Sequence, residues 1–357
     1  MSRGAAFVAR GFSWRVALLG LVLIPLNCFW VQQMEIVWYS AQPTTIALYF
    51  HVIFTLAVLL LGNWLARVPA PALGRRLRPV IGPLAAPAER WAPRLALDPG
   101  ELLVLYIMLA ISTSLAGHDA LEILVPIMSF GFWNATPENR WHELFHRLLP
   151  RHLTVANEKI LKGYYLGGDT LYTWEHLRAW AMPIMLWTAF ILVAVFVMLC
   201  INTIVRRQWT EKERLAFPII QIPLEICQPR TMLFRNRLFW IGIAAAGLID
   251  IVNGLSFLYP SVPSLPVRRI DLNQYIVDRP WVGVGWLPIS FYPFAIGLGY
   301  LLPLDLLFSS WFFFWVWKAQ RIMTFALGWE NRPDFPYVNQ QSFGAYLGLA
   351  LFALYVA

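Results

Sequence analysis

The sequence predicts an all-α fold: a polytopic bundle of transmembrane helices that contains discontinuous or re-entrant segments. Three observations predict it. Of the 357 residues, 59% are hydrophobic and only 13% are charged, whereas a soluble domain carries roughly a quarter charged residues. Apolar runs that approach or exceed the bilayer-spanning length of about 20 residues recur about seven times. Proline, glycine and ionisable side chains interrupt several of those runs, which at membrane depth requires a protein-lined or wet surrounding.

The remaining composition agrees with a bilayer as partner. Trp (18), Phe (24) and Tyr (13) are abundant, as where aromatic rings sit at membrane interfaces. The net charge of +8 comes from basic residues that flank apolar runs and form no single face, so nucleic acid is excluded as a partner. Cys28, Cys200 and Cys227 have no paired spacing, which excludes a disulfide framework and a Cys-x-x-Cys metal site. No P-loop, dinucleotide fingerprint or Gly-x-Ser-x-Gly elbow is present, and no cofactor is expected.

Taken in order, residues 1–128 form an N-terminal membrane bundle. Its first span is Arg15–Trp38, an uncleaved one because no small-residue cleavage site follows. The second is Thr44–Ala66. An Arg- and Pro-rich cytoplasmic linker, residues 67–99, follows. The run Glu101–Met128 is too long for one upright span. Asp98, Pro99 and Glu101 open it as N-cap, first-turn proline and capping box. Ser112, Ser114 and Gly117 mark a break inside it, just before His118 and Asp119. Residues 129–176 form an extracytoplasmic loop region with one or two short helices.

The second membrane region, residues 177–357, begins with a span at Leu177–Val205. Thr210 and Glu213 form a second capping box that opens Glu211–Cys227. The apolar part, Leu215–Cys227, is too short to span and carries Pro218 and Pro223. A span at Leu238–Tyr259 follows. Trp286–Trp317 is broken by Pro288, Pro293, Gly297, Gly299 and Pro303, and reads as one tilted span or as a re-entrant arm joined to a span. The last run, Ser342–Ala357, stops without a basic anchor, and the chain is expected to be the N-terminal part of a longer protein. With the N-terminus cytoplasmic in a plasma (inner) membrane, nineteen of the 28 Lys and Arg residues fall inside and nine outside. That count includes Lys318, Arg321 and Arg332 in one inside loop.

Ionisable groups within such runs face a cavity or a partner. The candidates for a substrate or ion path are Glu35 (with Asn27, Gln32 and Gln33), His51, His118, Asp119, Glu122, Glu225, Asp250, Asn253 and Asp305. Asp119 and Glu122 are three apart and so share one helix face, as do Asp250 and Asn253. Discontinuous helices near the midplane are where secondary transporters hold their cargo. The expectation is therefore a permease for a small polar solute driven by H⁺ or Na⁺, with Asp119, Glu122 and Asp250 as coupling residues. A homo-oligomer is compatible with it. The alternatives are a membrane scaffold or assembly subunit, and a membrane-bound zinc hydrolase. The last rests on His142-Glu143-Leu144-Phe145-His146, which on a helix would place two imidazoles on one face with Glu143 as general base. Glu175 or His176 would be the third ligand. The competing reading of the same helix is an amphipathic one, with Trp141, Leu144, Phe145 and Leu148 as an apolar stripe.

Several stretches carry a resemblance: Pro99-Gly100-Glu101-Leu102-Leu103, Ser114-Leu115-Ala116-Gly117-His118-Asp119, Phe132 to Asn139, and Arg206-Arg207-Gln208-Trp209 through Glu213 to Pro218. They resemble a large bacterial and archaeal family of polytopic membrane proteins of unknown function. That family is in turn distantly similar to the oligopeptide transporter superfamily. Leu215-Ala216-Phe217-Pro218 resembles a Pro-containing segment that the superfamily uses near its transport path, although Pro218-Ile219-Ile220 replaces the usual Pro-Ser-Gly continuation.

Overall fold

A computed structural model describes residues 12–39, 42–46, 48–67, 96–212, 217–228, 233–267 and 269–356. Residues 68–95 of the linker, Arg3, Arg10, Glu213, Leu215 and Ala216 lie outside the described residues. The chain divides into two compact units, and among the described residues the first holds those up to 212 and 219–228.

In the first unit, α1 (Trp14–Gln32) starts where Ser13 caps it, the hydroxyl accepting from the Val16 N–H at 3.3 Å. The helix does not stop at Gln32. It widens into a π-turn, Gln33–Val37, which re-aims Glu35. A 3-10 turn at Pro43–Thr45 precedes α2 (Phe50–Arg67), so the second helix begins six residues later than the apolar run suggested. The cause is local: Thr44 is drawn into hydrogen bonds with Glu35.

The long third run is two helices, α3 (Pro99–Ala116) and α4 (Leu121–Trp133), joined by a break at residues 117–120. The Glu101 side chain accepts from the Asp98 N–H at 2.9 Å and also from the Ser13 hydroxyl, so one carboxylate ties the starts of α1 and α3 together. α1 packs along α3. They come close because Gly20 has no side chain: a Cβ there would stand 2.3 Å from the Met108 methyl. Val16, Val52, Leu56, Leu97, Leu102, Leu105, Leu109 and Cys227 fill the core between α1, α2, α3 and the later short helix.

α4 runs to Trp133, so Ser129 to Trp133 belong to a helix and not to the polar region. The region beyond it holds α5 (Trp141–Leu144), a 3-10 turn at His146–Leu148, and α6 (Glu158–Leu166). A second core of Met128, Val155, Ile160, Leu161 and Trp180 fastens it to α4 and to α7 (Trp174–Arg207). Trp133 stacks on Tyr165 at 4.9 Å. The expected capping box of Thr210 falls partly outside the described residues, because Glu213 is not among them. α7 continues into a π-turn, Gln208–Lys212, where the Thr210 hydroxyl donates to the Arg206 carbonyl at 2.7 Å. α8 (Pro218–Cys227) is the short segment with an internal Pro223.

The second unit contains α9 (Arg237–Leu258), a two-stranded antiparallel pair of β1 (Ile270–Asp271) and β2 (Pro288–Ile289), and three further helices. These are α10 (Pro293–Leu301), α11 (Leu304–Ala326) and α12 (Val338–Val356). The broken run is thus two helices separated by Leu302 and Pro303, whose missing N–H ends the ladder. α11 passes Trp317 and takes in Lys318 and Arg321, which the charge count had assigned to a loop. Lys318 is fully buried. Its ammonium donates to the carbonyls of Val284 (3.2 Å) and Trp286, and lies 4.2 Å from the Trp317 ring centre and 5.2 Å from that of Phe314.

The described residues are 73% helical with little strand. Among them, four helical segments are long and apolar enough to cross a membrane: Trp14–Val37, Pro99–Trp133, Trp174–Lys212 and Arg237–Leu258. The apolar stretch of α2, Phe50–Trp64, is shorter. Four is fewer than the seven or so segments expected: the turn at Pro43–Thr45 delays and shortens α2, and Leu302 and Pro303 split the run Trp286–Trp317.

Candidate functional site

The polar groups of the first unit gather around the break between α3 and α4. Gly117 makes this possible. Its Cα faces Thr44, and a Cβ there would stand 2.3 Å from the Thr44 methyl. Beyond Gly117 the His118 N–H no longer belongs to a helix ladder. It donates to Glu35 Oε2 at 3.0 Å. Thr44 supplies two more donors to Glu35 Oε1, its N–H at 2.8 Å and its hydroxyl at 2.7 Å. Glu35 is 2% exposed, and these three protein donors satisfy both of its buried carboxyl oxygens.

Glu122 stands on the first turn of α4, with its side chain 1% exposed. Oε1 accepts from the Gln32 amide at 2.9 Å, and the same amide donates to the Ala116 carbonyl at 3.0 Å. Oε2 is buried with no donor reaching it, apart from the His118 ring, whose Nδ1 is 3.9 Å away. The two carboxyls converge on His118: Glu35 Oε2 takes its N–H at 3.0 Å, and Glu122 Oε2 lies 3.9 Å from its ring Nδ1. Like charges this close cannot both be ionised without a counter-ion between them.

A second polar layer lies deeper. The Asn27 amide donates to Thr113 Oγ1 (2.8 Å) and Ser112 Oγ (3.1 Å), and His51 Nε2 is 3.0 Å from Thr113 Oγ1. His51 is fully buried, and the rings of Trp30 and Phe50 pack on it. Asn27 Oδ1 and His51 Nδ1 have no partner. Three orphaned buried atoms, one on each of α1, α2 and α4, is a concentration that native interiors rarely hold without a ligand or a proton to satisfy them.

The structure thus brings together Glu35, His51, His118 and Glu122. Asp119 is adjacent in sequence but sits in the break with its side chain exposed, so it does not share a helix face with Glu122. Glu225 is half-buried on α8. In the second unit, Asp250 is exposed on α9, Asn253 accepts from the Leu265 N–H at 2.7 Å, and Asp305 is exposed in the first turn of α11. Thr44 and Thr113 are members of the site that the sequence did not single out, and Ser112 stood out there only as a mark of the break. The only signal was small hydroxyl residues close to a glycine break.

The His142–His146 stretch is not one helix. Phe145 leaves α-helical geometry, and His146 begins a 3-10 turn. Asn139 causes the early irregularity. Its side chain accepts from the N–H groups of Thr136 and Trp141, which holds Arg140 left-handed at φ 53°. The two imidazoles touch edge to face at 4.4 Å, His146 Nε2 is committed to the Gly131 carbonyl at 2.7 Å, and Glu143 pairs with Arg140. The expected third ligands are taken, Glu175 by Lys159 and His176 by Asp169. Among the described residues no three His, Cys, Asp or Glu side chains are grouped to hold a metal ion. The expected apolar stripe is split as well. Trp141 and Phe145 pack together, while Leu144 and Leu148 are exposed.

Two cavities elsewhere carry some polar residues in their walls. One of about 390 Å³ lies between α4, α6 and α7, with Tyr164, Asp169 and His176 in its wall. Burial, and then the neighbouring Tyr165, raise the Tyr164 phenol above its ordinary value. The other, about 440 Å³, lies in the second unit beside Trp317, Arg321, Glu330 and Asp334, where Arg279 pairs with Glu330 at 2.6 Å.

The model of the family of unknown function DUF6785 matches residues 8–76 and 80–357. The chain belongs to this family. DUF6785 is the family of unknown function that the motifs at Pro99, Ser114 and Phe132 led the sequence to resemble. No curated protein and no solved structure matches the chain. The Glu35–Glu122 site lies wholly within the matched DUF6785 region.

Proposed function

We propose that the chain is an integral membrane protein of the plasma (inner) membrane, with its N-terminus cytoplasmic, and that it acts as a cation-coupled permease for a small polar solute. The observation that carries this reading is the buried carboxyl pair, Glu35 and Glu122, at the break between α3 and α4. A structural role alone would favour apolar side chains there, because burying acidic groups is costly. A transport role explains both the acids and the break. A coupling ion needs a buried negative site, and broken helices offer free backbone groups beside it. The uncovered apolar helices α7 and α9 support the membrane part of the reading. Lys318 and Arg321 lie within α11, so the case for N-in rests on the other basic segments.

The test is flux. The purified chain in proteoliposomes is given a mixture of small polar solutes under an imposed H⁺ or Na⁺ gradient, and uptake is read by mass spectrometry. Gradient-dependent accumulation of at least one solute, abolished by Glu122→Gln, is expected. Equal leak in loaded and empty vesicles across the mixture would sink the reading.

A further inference from the structure

We infer that the Glu35–Glu122 pair holds a single proton on Glu122 and excludes Na⁺, so that the coupling ion of the proposed permease is H⁺. This rests on the permease reading for its use of the word coupling, but the proton itself is argued from the site alone.

The argument is a census of donors and acceptors. Hard cations are held by about six or more oxygen ligands: carboxylates, carbonyls, hydroxyl oxygens and water. Around this pair three N–H donors, those of Thr44, His118 and the Gln32 amide, point at the carboxyls, and the neutral oxygens at hand are the Thr44 hydroxyl and the Ala116 carbonyl. Glu35 receives the Thr44 N–H, the Thr44 hydroxyl and the His118 N–H. Glu122 Oε1 receives the Gln32 amide, which is locked in that orientation by its second hydrogen bond to the Ala116 carbonyl. A Na⁺ ion would have to turn these donors away and would gain few acceptors beyond the carboxylates.

A proton fits without rearrangement. Glu35 already has a donor on each of its oxygens, three in all, and leaves no oxygen for a further proton. Glu122 Oε2 is the one carboxyl oxygen of the pair that lacks a donor. Placed on Glu122, a proton can be donated to Glu35, which removes the like-charge conflict and joins the two groups by an O–H···O⁻ bond. The other titratable groups facing the pair are His118 from the break and His51 from α2, which feels the Glu35 charge. Thr44 and Gln32, the remaining contacts, are neutral. His118 also gives the route. Its side chain is 47% exposed while that of Glu122 is 1% exposed, and Nδ1 is 3.9 Å from Oε2. The imidazole can take the proton from Glu122 and release it to the outside of the site.

The experiment uses the full chain in lipid nanodiscs and infrared spectroscopy of the protonated-carboxyl stretch at neutral pH. The inference expects such a band, lost in Glu122→Gln, retained in Asp119→Asn, and unchanged when K⁺ is replaced by Na⁺. His118→Ala should keep the band and slow its H/D exchange by roughly tenfold or more. Absence of the band, or its loss on adding Na⁺, overturns the inference. If Glu122→Gln does not fold, the unmutated chain still decides through the Na⁺ titration, and Glu35→Gln should shift the band by removing its ionised partner. A standing band with no solute flux would leave the proton site and sink the permease. Flux driven by Na⁺ alone, with H⁺ clamped, would keep the permease and overturn proton coupling.

Discussion

The first unit buries acid and the second buries base, and each satisfies its charge in a different way. Glu35, on a π-turn, is met by three N–H and O–H donors drawn from a 3-10 turn and a helix break. Lys318 sits inside a regular helix and is met by two backbone carbonyls and two aromatic faces. The acidic site leaves orphans: Glu122 Oε2, His51 Nδ1 and Asn27 Oδ1 lack partners. At the ammonium site the charge itself is engaged by two carbonyls and two rings, although Trp317 Nε1 beside it lacks a partner. A buried charge that is completely matched reads as a staple, here holding residues 284–286 onto α11. A buried carboxyl that itself lacks a donor, as Glu122 does at Oε2, reads as a site that changes occupancy.

Substitutions can break that contrast. The largest effect is expected for Glu35→Ala, which strands two N–H groups and a hydroxyl in the interior. It should cost about 3–5 kcal/mol of stability in denaturant unfolding in detergent. Glu35→Gln keeps one acceptor and should cost about half. Lys318→Met leaves two carbonyls without a donor but preserves the packing of the stem, so about 1–3 kcal/mol is expected. Unlike Glu35→Ala, it should leave the carboxyl infrared band untouched. A loss of that band in Lys318→Met would show that the two buried charges are not independent.

Smaller changes sharpen it. Gly117→Ala sets a methyl against Thr44 and should cost about 1–3 kcal/mol by overpacking. It should also loosen the Thr44 bonds to Glu35, seen as faster H/D exchange at the Thr44 amide. The smallest effect is expected for Lys159→Ala, whose partner Glu175 is itself exposed. A change of about 0–1 kcal/mol, erased by salt, fits an exposed pair. A larger loss would mean that α6 depends on that pair more than on its core of Ile160 and Leu161.

A second contrast lies among the helices apolar enough to cross a membrane. More than half of the apolar stretch in Pro99–Trp133 is buried inside the protein, and none of that in Trp174–Lys212 or Arg237–Leu258. In the first case Ser112, Thr113 and Glu101 can be polar because protein covers them. In the others Phe190, Phe196, Ile241 and Ile251 face outward, which requires an apolar surrounding. Cysteine labelling from the two sides, at Tyr172→Cys in the exposed turn before α7 and at Lys212→Cys after it, should give opposite accessibility in right-side-out vesicles. Equal labelling would refute a crossing by α7.

Much of the fold was legible because its signals are local. Pro99 and Glu101 start α3, Gly117 ends it, and Pro303 separates α10 from α11. Each acts through its own backbone geometry or its immediate neighbours. Glu35, His51, His118 and Glu122 could be named because an acid or imidazole in an apolar run stands out. Asp119 could be named on the same ground, yet its side chain is exposed. A period of 3.6 assumes a continuous helix, and the break at residues 117–120 resets the phase. Lys318 read as a loop charge because it ends an aromatic run, whereas the helix continues past it.

By itself the sequence determined the helical character, the approximate ends of the apolar helices and the places where they break, since these follow from residue chemistry over one or two turns. Only the tertiary structure decided which acids meet. Glu35 and the His118 N–H are 83 positions apart, and Gln32 and Glu122 are 90 apart. Which donors converge on a carboxylate depends on how α1, the Thr44 turn and the α3–α4 break pack, and that packing is fixed by contacts such as Gly20 on Met108 and Gly117 on Thr44. No local pattern encodes such contacts.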